Sequence, residues 1–171
     1  SIRAACTMMK QFDVDAQTAF SMIAFGAQNG LDYSGELLDS INEYSVQFQK
    51  LGFSADDMFN IFQVGAENGA FNLDKIGDAI KEFSIRAIDG SKTTEEGFAL
   101  IGLSADEMGA KFAAGGESAK AAFFETINAI NALEDPMARN TAGVNLFGTM
   151  WEDLGPEVIA QLSGIGDEAY A

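Results

Sequence analysis

Phe53-Ser-Ala-Asp-Asp-Met-Phe-Asn-Ile-Phe62, followed by Gly65-Ala-Glu-Asn-Gly69, reads as one unit of a tandem repeat. A second copy opens at Leu103-Ser-Ala-Asp-Glu-Met108. A more divergent copy opens at Phe12-Asp-Val-Asp-Ala16 and carries Gly26-Ala-Gln-Asn-Gly30. In each, a residue with a side-chain oxygen precedes apolar residues at helical spacing, and glycine follows. That order spells a capped helix and its stop.

Each unit then supplies a second helix. In unit two it spans about 72–88, with Leu73, Ile76, Ile80, Phe83 and Ala87 as a narrow apolar stripe. In unit one it runs from about Ser34 to Lys50, with Leu37, Leu38, Ile41, Tyr44, Phe48 and Leu51 on one side. In unit three it runs from Glu117 to Leu133 and carries Phe123, Ile127 and Ile130. The interval from Gly26 to Gly65 equals that from Tyr44 to Phe83, whereas the interval from Phe12 to Phe53 is longer. This difference implies two residues lost within the first helix. Asp13 is expected to cap that helix, whose stripe is Ala16, Ala19, Phe20, Ile23 and Ala27. Ser54 with Asp57 resembles a capping box, and Ser104 with Glu107 is a full one.

A two-helix period of this length predicts an all-α fold, a compact array of about three tandem helical hairpins starting near 12, 53 and 103. The array should occupy residues 1–133, including a short extra helix from Thr94 to Ile101. A C-terminal segment, 134–171, should pack on it. There Pro136 opens a helix that stops at Gly148, Glu157–Leu162 forms another, and Gly164 to Ala171 frays. Ser1-Ile-Arg-Ala4 recurs as Ser84-Ile-Arg-Ala87. Residues 1–11 are therefore expected to be the end of a helix, and the chain an excised piece of a longer protein.

Composition narrows the function. The 171 residues are 47% hydrophobic, enough to build a core. Net charge is −16, which argues against a basic nucleic-acid footprint and against docking on anionic membranes. There is no histidine, the commonest general base and metal ligand. The one cysteine, Cys6, permits no internal disulfide and is expected to be a small buried hydrophobe. Apolar runs such as Met22-Ile-Ala-Phe25 are far short of a bilayer span.

No catalytic, cofactor or metal site is expected. Asp13-x-Asp15-x-Gln17 starts like a calcium loop, but Thr18 and Ala24 stand where glycine and glutamate are needed. Gly109 to Gly116 lacks the Gly-Lys-Ser/Thr ending of a phosphate loop. The acidic pairs Asp56/Asp57, Glu95/Glu96 and Glu134/Asp135 fall at expected helix starts, where the macrodipole favours negative charge. Phe147 and Trp151 are the candidate partner-binding residues, set against the simpler reading that they close the core.

Three later motifs carry a family resemblance: Asp135-Pro136, Gly143-Val-Asn-Leu-Phe-Gly148 and Leu154-Gly-Pro-Glu157. Together with Leu51-Gly-Phe-Ser-Ala-Asp56, Ile101-Gly-Leu-Ser-Ala-Asp106 and Phe112-Ala-Ala-Gly-Gly-Glu-Ser-Ala119, they resemble phage tail tape measure proteins from about residue 12 onward. The resemblance implies a non-enzymatic virion protein that sets tail length, templates the tail tube and leaves during genome ejection. It implies the tail tube protein and tail assembly chaperones as partners, and self-association in the tail. The implied location is the tail lumen of the virion, and the bacterial host cytoplasm during assembly. The alternative is a cellular helical-repeat interaction module.

Overall fold

The structure is a computed structural model that describes residues 1–70, 72–155 and 157–163. Among them every regular element is a helix. In chain order these are α1 (Ile2–Phe12), α2 (Ala16–Gln28), α3 (Leu37–Lys50), α4 (Ala55–Glu67) and α5 (Leu73–Arg86). Then come α6 (Lys92–Leu100), α7 (Ala105–Ala114), α8 (Gly116–Asn131), α9 (Pro136–Phe147) and α10 (Met150–Leu154). Residues 157–163 form α11. The fraying expected of Gly164 to Ala171 falls outside the described residues.

Local chemistry sets most helix starts. Ser54 Oγ accepts from the Asp57 amide at 3.1 Å, and Asp57 Oδ2 accepts from the Ser54 amide at 2.8 Å. This is the reciprocal capping box expected of α4, with the shorter aspartate in place of glutamate. At α7 only half of the expected box forms. Ser104 accepts from the Glu107 amide at 3.3 Å, while the Glu107 side chain stays in solvent. Pro136 opens α9, and Gly148 ends it at φ 68°. The extra helix starts at Lys92, two residues earlier than expected, because Ser91 caps it.

Unit one departs from expectation at its start. Asp13 does not cap α2; it ends α1 in the left-handed conformation at φ 56°. Asp15 is the cap, accepting from the Thr18 amide at 2.7 Å. Only Asp13, Val14 and Asp15 separate α1 from α2, and aspartate tolerates the left-handed turn that so short a link demands. Asp15 thus matches Ser54 at the same interval that relates Gly26 to Gly65. Helices α2 and α4 both have 13 residues. No residue is lost inside the helix. Residues 2–12 form one helix, α1, and Ser84 to Ala87 close α5.

The second helix of unit one starts at Leu37, later than the expected Ser34, because Gly35 turns the chain at φ 74°. Leu37, Ile41, Tyr44, Phe48 and Leu51 are buried as the stripe requires, but Leu38 is exposed. Cys6 is exposed as well, contrary to expectation. Ala4, Ala5 and Met8 form the buried stripe of α1, and Cys6 lies on the opposite side of the helix.

Helices α1, α3 and α5 pack side by side, and α9 extends the row from α5 to α6. Within units, α7 lies along α8 and α4 along α5, as hairpins do. Unit one differs: α2 lies mainly against α1 instead of α3. One core cluster runs from Ala4 to Leu162. Aromatic rings tie its parts together. Phe53, from the repeat's opening motif, meets Phe123 edge-on at 5.1 Å. Phe123 meets Phe83 at 5.3 Å, and Phe83 stacks on Phe147 at 4.8 Å. Beside Phe53, Gly52 takes φ 80°, and any Cβ there would collide with the carbonyl oxygen of Gly116. Units two and three approach backbone to backbone at that point.

Candidate interaction surfaces

Four of the six carboxylates singled out by sequence act at helix starts, Glu96 and Glu134 being the exceptions. Asp56 and Asp57 lie in the first turn of α4, Glu95 in that of α6, and Asp135 caps α9 through the Met137 amide at 3.1 Å. The amide and hydroxyl of Thr18 beside Asp15 hold its carboxyl below the usual range. For Asp89, burial pushes the carboxyl up. Bonds from Ser91 and Thr94 and the nearby Arg86 charge together outweigh it, so the net shift is downward. Among the described residues, no group of three or more histidine, cysteine or carboxylate side chains suits a metal ion. No helix there is long and apolar enough to cross a membrane.

Asp57 has a second role. Its carboxylate lies 2.9 Å from Lys120 Nζ, and both side chains are largely buried. The cap of α4 is therefore pinned to α8, which joins unit two to unit three.

Phe147 and Trp151 are buried, Phe147 completely. The Trp151 ring lies directly on Gly143, where any Cβ would strike it, and tilts against Phe147 at 5.8 Å. Next to them, a cavity of about 360 Å³ opens between Asn131, Pro136, Arg139, Asn140 and Trp151. Trp151 Nε1 and Arg139 Nε are buried without a hydrogen-bond partner among the described residues.

The most exposed aromatic surface lies elsewhere, on α2. Phe25 is 68% exposed and Phe20 42%. Of the stripe expected to be buried, only Ala19 and Ile23 are, together with Gly26; Ala16, Phe20 and Ala27 face solvent. The residue in unit two that corresponds to Phe20 is Phe59, only 8% exposed. Its ring covers Gly26, with Cε1 2.9 Å from where a Cβ would stand. The sequence does carry a signal for this surface. None of residues 16–31 is charged, in a chain where 21% of residues are.

The family model for "Phage-related minor tail protein" matches residues 1–148. A protein of Streptomyces phage phiC31, described as a probable tape measure protein, is 46% identical over 140 residues. That alignment takes in 82% of this chain and 19% of the phage protein, so the chain spans about a fifth of the length of that relative. No solved structure matches. The shared sequence covers the capped repeats and the aromatic row just described, and the chain belongs to the phage-related minor tail protein family, with the tape measure proteins of phage tails.

Proposed function

We propose that this chain is a non-enzymatic segment of a tape measure protein that sets tail length, templates assembly of the tail tube and is released during genome ejection. The 46% identity to the phiC31 protein described as a probable tape measure protein carries the reading. Its partners on this reading are the tail tube protein and tail assembly chaperones. Its place is the tail lumen of the virion, and the bacterial host cytoplasm before that. The repeat array, 1–133, and the segment 134–171 act together as one spacer. A net charge of −16 suits a chain that shares a tube with DNA without holding it.

Tail length tests this directly. An in-frame deletion of the 171 residues from the phage that encodes them should shorten the tail seen by electron microscopy. An extended helix would account for about 260 Å at 1.5 Å per residue. The compact fold would account for about 40 Å, the diameter of a globular chain of this size. An in-frame duplication should lengthen the tail by the same increment. A shortening near the larger value means that the glycine-broken hairpins open in the tail, and one near the smaller value means that they persist. Tails of unchanged length in both variants overturn the proposal.

A further inference from the structure

We propose that the cavity where α8, α9, α10 and α11 meet is a binding site for a carboxylate, carried by a small organic acid or by an acidic side chain of another polypeptide segment. The cavity holds about 360 Å³, at the small end of the range for ligand sites. Asn131 stands at the end of α8, Pro136 and Arg139 on α9, Trp151 on α10, and Glu157 and Ala160 on α11. The Asn131 side-chain amide donates to the Ala160 carbonyl at 3.3 Å, which ties two of the walls together. Two of the late motifs singled out by sequence meet here, through Pro136 and Glu157, and the third sets Gly143 against the Trp151 ring.

Two unpaired nitrogens select the ligand. Trp151 is 2% exposed, and its Nε1 has no hydrogen-bond partner among the described residues. Arg139 Nε is buried and unpartnered in the same way, and none of the ion pairs there includes the Arg139 guanidinium. An indole N–H can only donate, and a guanidinium only donates and does not lose its proton in proteins. Buried donors without an acceptor are costly, so both groups favour an occupant that brings oxygen acceptors and negative charge.

Shape and charge narrow this to a carboxylate. Its two oxygens can take one bond from the guanidinium fork and one from the indole. A phosphate dianion would bring more charge to a chain whose net charge is −16. Pro136, Ala160 and the Trp151 ring leave apolar wall for the carbon body that bears the carboxylate. Among the described lining residues Glu157 is the only carboxylate; it is exposed and leaves Arg139 unpaired. It therefore opposes an incoming anion instead of replacing it.

Trp151 is the only tryptophan of the chain, so its indole N–H gives one isolated nuclear magnetic resonance signal to follow. Sodium acetate and N-acetyl-glutamate α-methylamide, titrated into the 171-residue chain at constant ionic strength, should each move that signal saturably with millimolar affinity. Acetamide and N-acetyl-glutamine α-methylamide, which match them in shape without the charge, should leave it in place. Arg139→Gln should weaken binding at least about tenfold with helical circular dichroism unchanged, whereas Glu157→Gln should tighten it. If Arg139→Gln unfolds, Glu157→Gln carries the test alone. Tighter binding of the glutamate compound than of acetate assigns the site to an acidic protein side chain, and equal or weaker binding assigns it to a free acid; the site stands in each case. The absence of a shift, an equal shift with the amides, indifference to the substitutions, or tighter binding of inorganic phosphate than of either carboxylate overturns the proposal. No phage is needed, so the outcome does not depend on the tail-length experiment.

Discussion

Helices α2 and α4 are built to one plan and placed in different surroundings. Each has 13 residues, an oxygen side chain at its start, a glycine in its last turn and a glycine just beyond its end. Helix α4 buries seven residues, including Met58, Phe59, Ile61 and Phe62. Helix α2 buries three, Ala19, Ile23 and Gly26. The positions of Met58 and Phe62 are held in α2 by Ala19 and Ile23. The smaller side chains reach less far and grip fewer neighbours. The lesson is that the repeat motif encodes a helix and its ends, while the anchoring of that helix depends on side-chain volume and on what stands opposite.

The sharpest way to break this contrast is to truncate the same ring in both helices. Phe59→Ala should cost about 3–5 kcal/mol in urea unfolding, the usual range for emptying a core aromatic site. Phe20→Ala in dilute solution should cost less than about 1 kcal/mol, because its ring gains little from folding when 42% of it is already exposed. Equal losses at the two sites would mean that α2 is held as firmly as α4.

The caps give the next largest difference. Asp57→Ala should cost about 2–4 kcal/mol, since it removes half of the capping box and leaves Lys120 largely buried without its partner. Asp15→Ala should cost distinctly less, because its carboxylate is exposed and bonds only to Thr18. Lys120→Met in the Asp57→Ala background should recover part of the loss. Failure to recover would show that the cap alone matters and that the link to unit three contributes little.

These cases also separate what was legible in the sequence from what was not. Ser54, Pro136 and Gly148 act through neighbours within four residues, so their roles could be read directly. The error at Asp13 was also local. Two aspartates two residues apart both suit a cap, and only the backbone turn decides between them. The exposure of Leu38 and Cys6 could not be read in the same way. In α3 the stripe is wide enough to admit Leu38, but the residues buried there are Leu37, Ser40, Ile41, Tyr44, Ser45 and Phe48, which leaves Leu38 at the edge. Periodicity shows which residues share a face, and the number of neighbouring helices decides how much of that face is covered. For the same reason periodicity could not show that Gly143 and Phe83 pack on Trp151 and Phe147.

A smaller effect than those at Phe59 and Asp57 falls on the position where the two second helices differ by one oxygen. Tyr44 in α3 corresponds to Phe83 in α5. Phe83 sits among Phe112, Phe123 and Phe147 and needs no polar partner. Tyr44 lies with its ring against Gly77, and its hydroxyl donates to Asp78 Oδ1 at 2.6 Å. Burial first, and then the Asp78 carboxylate, push the Tyr44 pKa well above its usual value. A raised folded-state pKa means that the folded chain holds this proton more tightly than the unfolded one. The associated stability is complete below the unfolded pKa of about 10 and is lost as pH rises above it. Tyr44→Phe should cost about 1 kcal/mol at neutral pH, the value of one partly buried hydrogen bond. It should also flatten the fall in stability above about pH 10. A smaller slope should remain from Tyr33, whose hydroxyl donates to Ala70 O and is likewise shifted upward by burial and Glu36. If the variant loses stability at alkaline pH as steeply as the parent, the Tyr44–Asp78 bond is not what distinguishes α3 from α5. The two helices would then differ only in the company their rings keep.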